Sequence, residues 1–264
     1  MPIGGGLALV LALMSVLAVV ETVAPFRRNG RWRRDHLRAN LGLTAATLAL
    51  NVALGALAAI GADVWAPHEA GRQAGLALPA LARLVGSVAL LDGATYVAHR
   101  LMHHSPALWR VHRVHHADPL VDVTTAYRQH PVETLLRFVF LAVPAWLLGM
   151  PASVIAAYRL LSAANALLEH ANVRLWPPLD ATLSRLFVTP DMHKVHHSRR
   201  PAETDSNYGN ILAVFDRLFH TFTPSARAAH VEYGLDGYDR PDTHTLSTLL
   251  RLPFEKQPPL APSR

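Results

Sequence analysis

Long apolar segments constrain the fold of this chain more than any other feature. Residues 3–25 carry one charge, that of Glu21, and residues 40–61 carry none. A third, mostly apolar run covers residues 77–99. Runs of about 20 apolar residues match the length of a helix that crosses the hydrocarbon of a bilayer. We therefore predict that these three runs are membrane-spanning helices.

Two shorter apolar runs follow at residues 132–149 and 152–169, and Gly149 and Pro151 provide a turn between them. Each is short for a complete span, so the pair forms either two further spans or a hairpin that dips into the bilayer. The predicted fold is an all-α integral membrane helical bundle with about 4–5 membrane segments.

The basic residues of the chain flank these apolar runs. The formal net charge is +6 and the pI is near 10.1. Arginine-rich loops stay on the cytoplasmic side of a membrane, so topology explains the charge and we expect no nucleic-acid partner. The first run lacks the features of a cleaved signal peptide, so we expect it to be retained. Six arginines follow it: Arg27, Arg28, Arg31, Arg33, Arg34 and Arg38.

If the arginine loop is cytoplasmic, the third run ends on the cytoplasmic side, so His99 lies at that face. The pair of shorter runs then begins and ends on the same side, so His170 also lies at the cytoplasmic face. The expected location is a bacterial inner membrane. We expect three regions: residues 1–76 form N-terminal membrane helices and a basic cytosolic loop, residues 77–222 form the catalytic domain, and residues 223–264 form a C-terminal tail. The tail is rich in proline, and we expect it to be partly disordered.

Three histidine clusters carry the chemistry. Residues three and four apart are neighbours on a helix, so each cluster presents several imidazoles on one face. Imidazole is the commonest protein ligand for transition metals. The clusters are His99-x3-His103, His112-x2-His115-His116 and His193-x2-His196-His197. Proline sets the expected helix boundaries, with a break before Pro106 and a helix start at Thr189-Pro190.

The number of candidate ligands predicts two metal ions. One tetrahedral ion needs about four protein ligands, whereas two octahedral ions would use roughly nine or ten. The chain has no cysteine, so thiolate sites and disulfides are excluded. The candidate ligands are His99, His103, His112, His115, His116, His170, His193, His196 and His197. The count therefore suits a dinuclear site.

The expected reaction decides which metal the site would hold. Nitrogen donors suit iron, zinc, copper or nickel. Lipid substrates offer mostly C–H bonds, whose oxidation needs a redox-active metal and dioxygen, so two iron ions with O2 as co-substrate are the predicted cofactors. Other histidines are interpreted as ordinary surface or core residues, because a lone histidine is seldom a ligand. These are His36, His68, His230 and His244, while His220 is interpreted as structural, and His104 faces away from His103 on a helix.

Polar residues near the clusters are expected to hold the ligand rings in place, because a ligating histidine donates its other N–H to an acceptor. His130 precedes Pro131 and is either such a residue or a helix start. Candidates for the outer shell are His130, Asn165, Asn172, Asp92, Glu169, Asp191 and Asn207, together with Asp118, Glu133 and Asp216. Each carboxylate could equally be an ordinary cap or surface charge.

The motifs resemble the fatty acid hydroxylase/sterol desaturase superfamily of integral membrane non-haem di-iron enzymes, over roughly residues 80–222. The resemblance rests on the order and spacing of five stretches: Asp92-Gly-Ala-Thr-Tyr-Val-Ala-His99-Arg100, Trp109-Arg-Val-His112-Arg-Val-His115-His116, Arg128-Gln-His130-Pro131-Val-Glu133, Glu169-His170-Ala-Asn172, and Val188-Thr-Pro190-Asp-Met-His193-Lys-Val-His196-His197-Ser198 with its continuation to Phe219.

The resemblance implies a cytosolic helical cap that holds a cytoplasm-facing di-iron site on a helical membrane bundle, in a compact bacterial-type member. It implies the same nine histidine ligands, and electrons from a separate donor protein of ferredoxin or cytochrome b5 type. Two positions depart from the family pattern. Ala166 stands where many members have the first histidine of an HxxxH pair, a place that Asn165 or water could fill. His220 stands where glycine is usual.

The predicted function is an O2-dependent oxidoreductase that hydroxylates or desaturates a C–H bond of a fatty acyl, sterol or other isoprenoid lipid taken from the bilayer. A carotenoid hydroxylase and an ether-lipid mono-oxygenase are alternatives within the same class. A zinc- or nickel-binding membrane hydrolase or a metal transporter is the alternative of another class. A transporter would place its ionisable ligands near the bilayer midplane, whereas these ligands lie at and beyond the ends of the apolar runs.

Overall fold

The structure is a computed structural model that describes residues 3–28, 33–69 and 79–256. Residues 1–2, 29–32, 70–78 and 257–264 lie outside this range, and with them Arg31 of the predicted basic loop. Within it the chain is helical, and two isolated antiparallel bridges, Phe187 with Leu212 and Ser198 with Tyr233, are the only β pairing. The helices are α1 (Ile3–Val23), α2 (Arg33–Glu69), α3 (Ala80–His104), α4 (Pro106–His116), α5 (Pro131–Leu147), α6 (Ala152–His170), α7 (Pro177–Leu183), α8 (Pro190–His196), α9 (Pro201–Thr204), α10 (Val214–Leu218) and α11 (Leu246–Arg251).

Three helices are long and apolar enough to cross a membrane, as predicted. The candidate spans are Gly4–Val23 in α1, His36–Ala58 in α2 and Leu81–His104 in α3. Their outer faces are apolar and uncovered by protein, with Val19 63% and Leu81 71% exposed. Apolar side chains on this scale are stable against lipid rather than water.

Helices α5 and α6 form the predicted hairpin. Gly149 adopts a left-handed conformation with φ of 57° at the turn, which glycine tolerates without strain. Leu91 of α3 packs against Ala145, Met150 and Tyr158, so the hairpin lies against the third span. The hairpin therefore brings the carboxyl end of α6, with His170, to the end of α3 that carries His99 and His103.

Proline sets the helix boundaries that position the histidines. Helix α3 ends at His104, and α4 begins at Pro106 after the extended residue Ser105, which confirms the predicted break. Helix α8 begins at Pro190, and the Thr189 hydroxyl accepts a hydrogen bond from the backbone N–H of Met192. Such a cap satisfies an N–H that has no partner within the helix.

A buried polar network anchors α2 to the segment after α4. His36 Nε2 lies 2.9 Å from Asp122 Oδ2. Asn40 Nδ2 donates to Asp118 Oδ2 at 3.0 Å, and its Oδ1 accepts from Arg128 at 2.8 Å. All five side chains are buried, so each satisfies polar atoms that would otherwise be costly to bury. His36 is thus a core residue, as is His244, whose Nδ1 lies 3.1 Å from the Arg128 guanidinium.

Part of the predicted C-terminal tail packs onto the helical bundle. Leu249 and Leu252 are fully buried in a cluster with Leu43 of α2 and Val114 of α4. Pro253, one of the prolines that suggested disorder, is buried in a short 3-10 turn. Burial of apolar surface against two helices therefore stabilises this segment despite its proline content. Residues 257–264 lie outside the described range.

Candidate metal centre

The structure brings all nine candidate histidines together in two adjacent groups. The ligand nitrogens of each group lie within 4.8 Å of one another. The five-histidine group consists of His99, His103, His112, His116 and His196, and the four-histidine group consists of His115, His170, His193 and His197. Each is therefore compact enough to hold one ion.

Each of the two HxxHH motifs contributes histidines to both groups. His112 and His116, four residues apart, belong to the five-histidine group, while His115 belongs to the other. In the second motif, His193 and His197 belong to the four-histidine group, while His196 crosses to the first. Neighbouring residues on a helix point about 100° apart, so each His-His pair faces two sites at once. This arrangement is suited to two ions side by side.

Distances in the five-histidine group suit metal coordination. His112 Nε2 lies 3.1 Å from His99 Nε2 and 3.2 Å from His116 Nε2. Two nitrogens at right angles on one ion, with bonds of about 2.1 Å, are about 3 Å apart. His103 Nε2 and His196 Nε2 are buried and have no hydrogen-bond partner. Buried polar atoms normally have one, so a bound ion would account for both.

The positions of the N–H protons on these rings also fit a metal ion. His99 Nδ1 donates to the Tyr208 carbonyl at 2.9 Å, and His112 Nδ1 donates to Glu133 Oε1 at 2.9 Å. A neutral imidazole has one N–H, so both facing Nε2 atoms carry lone pairs. Lone pairs 3.1 Å apart repel each other unless a cation lies between them. The donor set therefore fits a metal ion.

The four-histidine group is centred on His170. Its Nε2 lies 3.1 Å from His115 Nε2, 3.0 Å from His193 Nε2 and 3.1 Å from His197 Nε2. Its Nδ1 donates to the Ala166 carbonyl at 2.7 Å. The other three rings have buried Nδ1 atoms without a hydrogen-bond partner. This group is held mainly by packing, whereas the other is held by hydrogen bonds.

Loop residues 203–208 supply most acceptors for the five-histidine group. His103 Nδ1 lies 3.2 Å from Asp205 Oδ1, and His196 Nδ1 donates to the Ser206 carbonyl at 2.7 Å. Sequence reasoning did not single out either acceptor. Asp205 is a carboxylate in the matching family stretch and could have been nominated, but a backbone carbonyl has no sequence signal.

Burial keeps these imidazoles neutral. It lowers the pKa values of His112, His116 and His196 well below the usual range, and neighbouring imidazoles lower them further. A charged ring would lose its hydration in this site and repel the rings beside it. Only a neutral ring has a lone pair to donate, so the site favours the form that binds metal.

The proposed outer-shell residues divide into two sets. Glu133 touches a ligand ring directly, and Asn165 Nδ2 donates to Glu169 Oε2 at 3.1 Å beside the four-histidine group. The remaining polar candidates hold other parts of the fold. Asp92 accepts from the backbone N–H groups of Ile211 and Leu212, at 3.1 and 2.8 Å.

Four further candidates also bind elsewhere. Asn172 pairs with the backbone of Arg27 through both its side-chain atoms, and Asn207 bonds to the backbone of residues 192 and 223. Asp191 accepts from Arg174 Nε at 2.9 Å. His130 is the N-cap of α5, where it accepts from the Val132 N–H. These residues were nominated from the sequence, but the partners of their side chains lie outside the two histidine groups.

Two more histidines lie outside both groups. His104 is exposed, and its Nδ1 donates to the Arg100 carbonyl. His220 is exposed and has a left-handed φ of 57°, a conformation that favours glycine. The chain therefore retains the turn geometry expected of glycine at this position.

A cavity of about 40 Å³ opens between the two groups. Ligands of both groups line it, including His99 and His193. Its other side chains are largely polar: Thr95, Gln129, Arg137, Glu169 and Asn210, with Ala126 and Ala166. Gln129 and Arg137 were not predicted, although Arg137 is the one basic residue of the mostly apolar helix α5.

Known proteins share this arrangement of motifs. Residues 84–221, just over half of the chain, match the family described as "Fatty acid hydroxylase". The chain belongs to the fatty acid hydroxylase family. No solved structure matches it.

Relatives in this family act on lipids, as their names state. The ornithine lipid hydroxylase OlsE of Rhizobium tropici is 34% identical over 160 residues, which cover 60% of this chain and 47% of that protein. The alkylglycerol monooxygenase of Danio rerio is 33% identical over 60% of this chain and 32% of that protein. The very-long-chain aldehyde decarbonylase GL1-6 of Oryza sativa subsp. indica is 29% identical over 58% and 25%. The chain thus matches between a quarter and a half of the length of these relatives.

Proposed function

We propose that this membrane protein is an O2-dependent lipid oxygenase that hydroxylates or desaturates a C–H bond, with one iron ion in each histidine group. The observation that supports it most directly is the pair of interlocked, buried imidazole groups beside one cavity. Two bound iron ions would supply the redox chemistry that activates dioxygen. The protein's part is to hold nine neutral imidazoles in place and to admit the lipid.

Orientation in the membrane follows from contacts at one end of the bundle. The Arg27 backbone N–H donates to Asn172 Oδ1 at 3.0 Å, so the segment after α1 lies beside the end of α6. Arg28 is exposed there, and basic residues next to a span favour the cytoplasmic side. We therefore place the metal centre at the cytoplasmic face, of the inner membrane in a bacterial cell. A separate ferredoxin or cytochrome b5 type protein would deliver electrons from that side.

The polar cavity favours a second candidate within this class. A methylene in the middle of an acyl chain gains most from apolar neighbours. Gln129 and Asn210 instead place polar amide groups beside the ligand rings. This lining suits a C–H bond next to a polar atom, such as that of an ether lipid or a lipid headgroup, better than one within a hydrocarbon chain.

Lipid profiling of cells tests the proposal. Cells that express the chain should gain, only in the presence of oxygen, a lipid with one added oxygen atom or one added double bond. His196→Ala should abolish this product, because it removes a donor of the five-histidine group. His104→Ala is the matched control and should retain it. A product that persists in the His196→Ala strain would refute the assignment.

A further inference from the structure

Glu169 is a buried carboxylate beside the four-histidine group, and the hydrogen bonds of the histidine rings do not explain why it is buried there. It is the last residue before His170 and is 4% exposed. Its Oε1 lies 3.7 Å from His193 Nε2 and 3.8 Å from His170 Nδ1. Its Oε2 accepts from Asn165 Nδ2 at 3.1 Å. One carboxylate oxygen is thus fixed by an amide, while the other faces the four-histidine group and the cavity.

We propose that Glu169 Oε1 is the fifth donor of the four-histidine group. The inference rests on the proposed function, because it assumes a metal ion in each group. It makes the two sites different: five neutral nitrogens would hold one ion, while four nitrogens and an anionic oxygen would hold the other.

The donor count supports this assignment. The first group has five imidazoles and the second has four, and Ala166 provides no ligand on the α6 turn before His170. In an octahedral site with bonds of about 2.1 Å, adjacent donors are about 3 Å apart and opposite donors about 4.2 Å apart. The 3.7 Å separation of Glu169 Oε1 and His193 Nε2 lies within that interval. The ligand atoms that lie within 4.8 Å of one another are the four imidazole nitrogens alone, so the carboxylate would move toward a bound ion.

The charges around Glu169 also support its assignment as a ligand. Arg137 lines the same cavity, but its Nε pairs with Glu133 at 2.8 Å. Among the described residues, the basic groups within 4.0 Å of the Glu169 carboxylate are the imidazoles of His170 and His193. A buried carboxylate is costly unless a positive charge is close to it. A divalent ion in the four-histidine group would provide that charge.

Anaerobic titration of the metal-free protein in detergent with Fe²⁺ tests the proposal. The wild type should bind two ions per chain. Glu169→Gln preserves shape but removes the anionic donor, so it should keep one ion and bind the second at least about 100-fold more weakly, the upper end of what loss of an outer-shell partner costs. Glu169→Asp, whose carboxylate is one methylene short of the site, should behave in the same way if the oxygen is a ligand. It should bind normally if only the charge matters.

A matched variant identifies the affected site. Mössbauer spectra of ⁵⁷Fe-loaded protein should lose the same component in Glu169→Gln as in His115→Ala, which lacks a ligand of the four-histidine group. The remaining ion shows that the variant has folded. Two ions bound with unchanged affinity in Glu169→Gln, normal binding in Glu169→Asp, or loss of both ions would each overturn the proposal. A wild type that binds no metal would instead refute the proposed function, and this inference with it.

Discussion

His112 and Glu133 form the contact that links the metal centre to the membrane hairpin. His112 Nδ1 lies 2.9 Å from Glu133 Oε1, and both side chains are fully buried. The same oxygen accepts from Arg137 Nε at 2.8 Å. Because Glu133 and Arg137 belong to α5, the orientation of a ligand ring on α4 depends on where the hairpin packs.

Replacing Glu133 should weaken metal binding without removing a ligand. Glu133→Gln keeps a carbonyl oxygen for the His112 N–H but loses the negative charge that makes the imidazole a better donor. We expect the affinity of one ion to fall by about 10- to 100-fold, measured by anaerobic Fe²⁺ titration. Glu255→Gln, on an exposed side chain, is the control. Equal affinities in the two variants would contradict this role.

Gly209 lies where a side chain has no room. A Cβ at this position would lie 2.8 Å from the Leu212 carbonyl oxygen and 2.8 Å from Val188 Cγ2. Gly209→Ala should therefore destabilise the protein by about 1–3 kcal/mol, seen as a lower melting temperature in detergent. Gly86→Ala is the matched control in α3, where a Cβ meets nothing within 4 Å. That change should be neutral or stabilising, because alanine favours a helix by up to about 1 kcal/mol. Equal melting temperatures would contradict the tight packing.

His220 is strained where it stands. Its φ of 57° is left-handed, which costs a residue with a Cβ about 1–2 kcal/mol. His220→Gly relieves this strain but adds freedom to the unfolded chain, so we expect a net gain in stability of about 1 kcal/mol or less, measured by thermal denaturation. His230→Gly, also at an exposed position, should lower stability. A loss of stability in His220→Gly would show that the imidazole makes a contact worth more than the strain.

Local chemistry explains which features could be predicted from the sequence. Proline and glycine act on their own neighbours, so the breaks at Pro106 and Pro190 and the turn at Gly149 were found from the sequence. Histidine spacing is equally local, and all nine predicted histidines lie in the two groups. Metal occupancy itself stays a prediction.

Contacts between remote segments explain what could not be predicted. Asn172 was nominated because it follows His170, but its partner is the backbone of Arg27, 145 residues away. The tail, residues 223–264, was expected to be partly disordered because of its prolines, and no local pattern predicted that Leu249 and Leu252 are buried against α2 and α4. Neither outcome is encoded in the neighbouring residues, since each depends on how distant helices pack.

Metal analysis of the purified protein tests the central claim most directly. We predict about two iron ions per chain in the wild type and in His104→Ala, whose imidazole lies outside both groups. His196→Ala and His115→Ala, one from each group, should each lose iron. Zinc alone in the wild type, or full iron content in both ligand variants, would contradict the account.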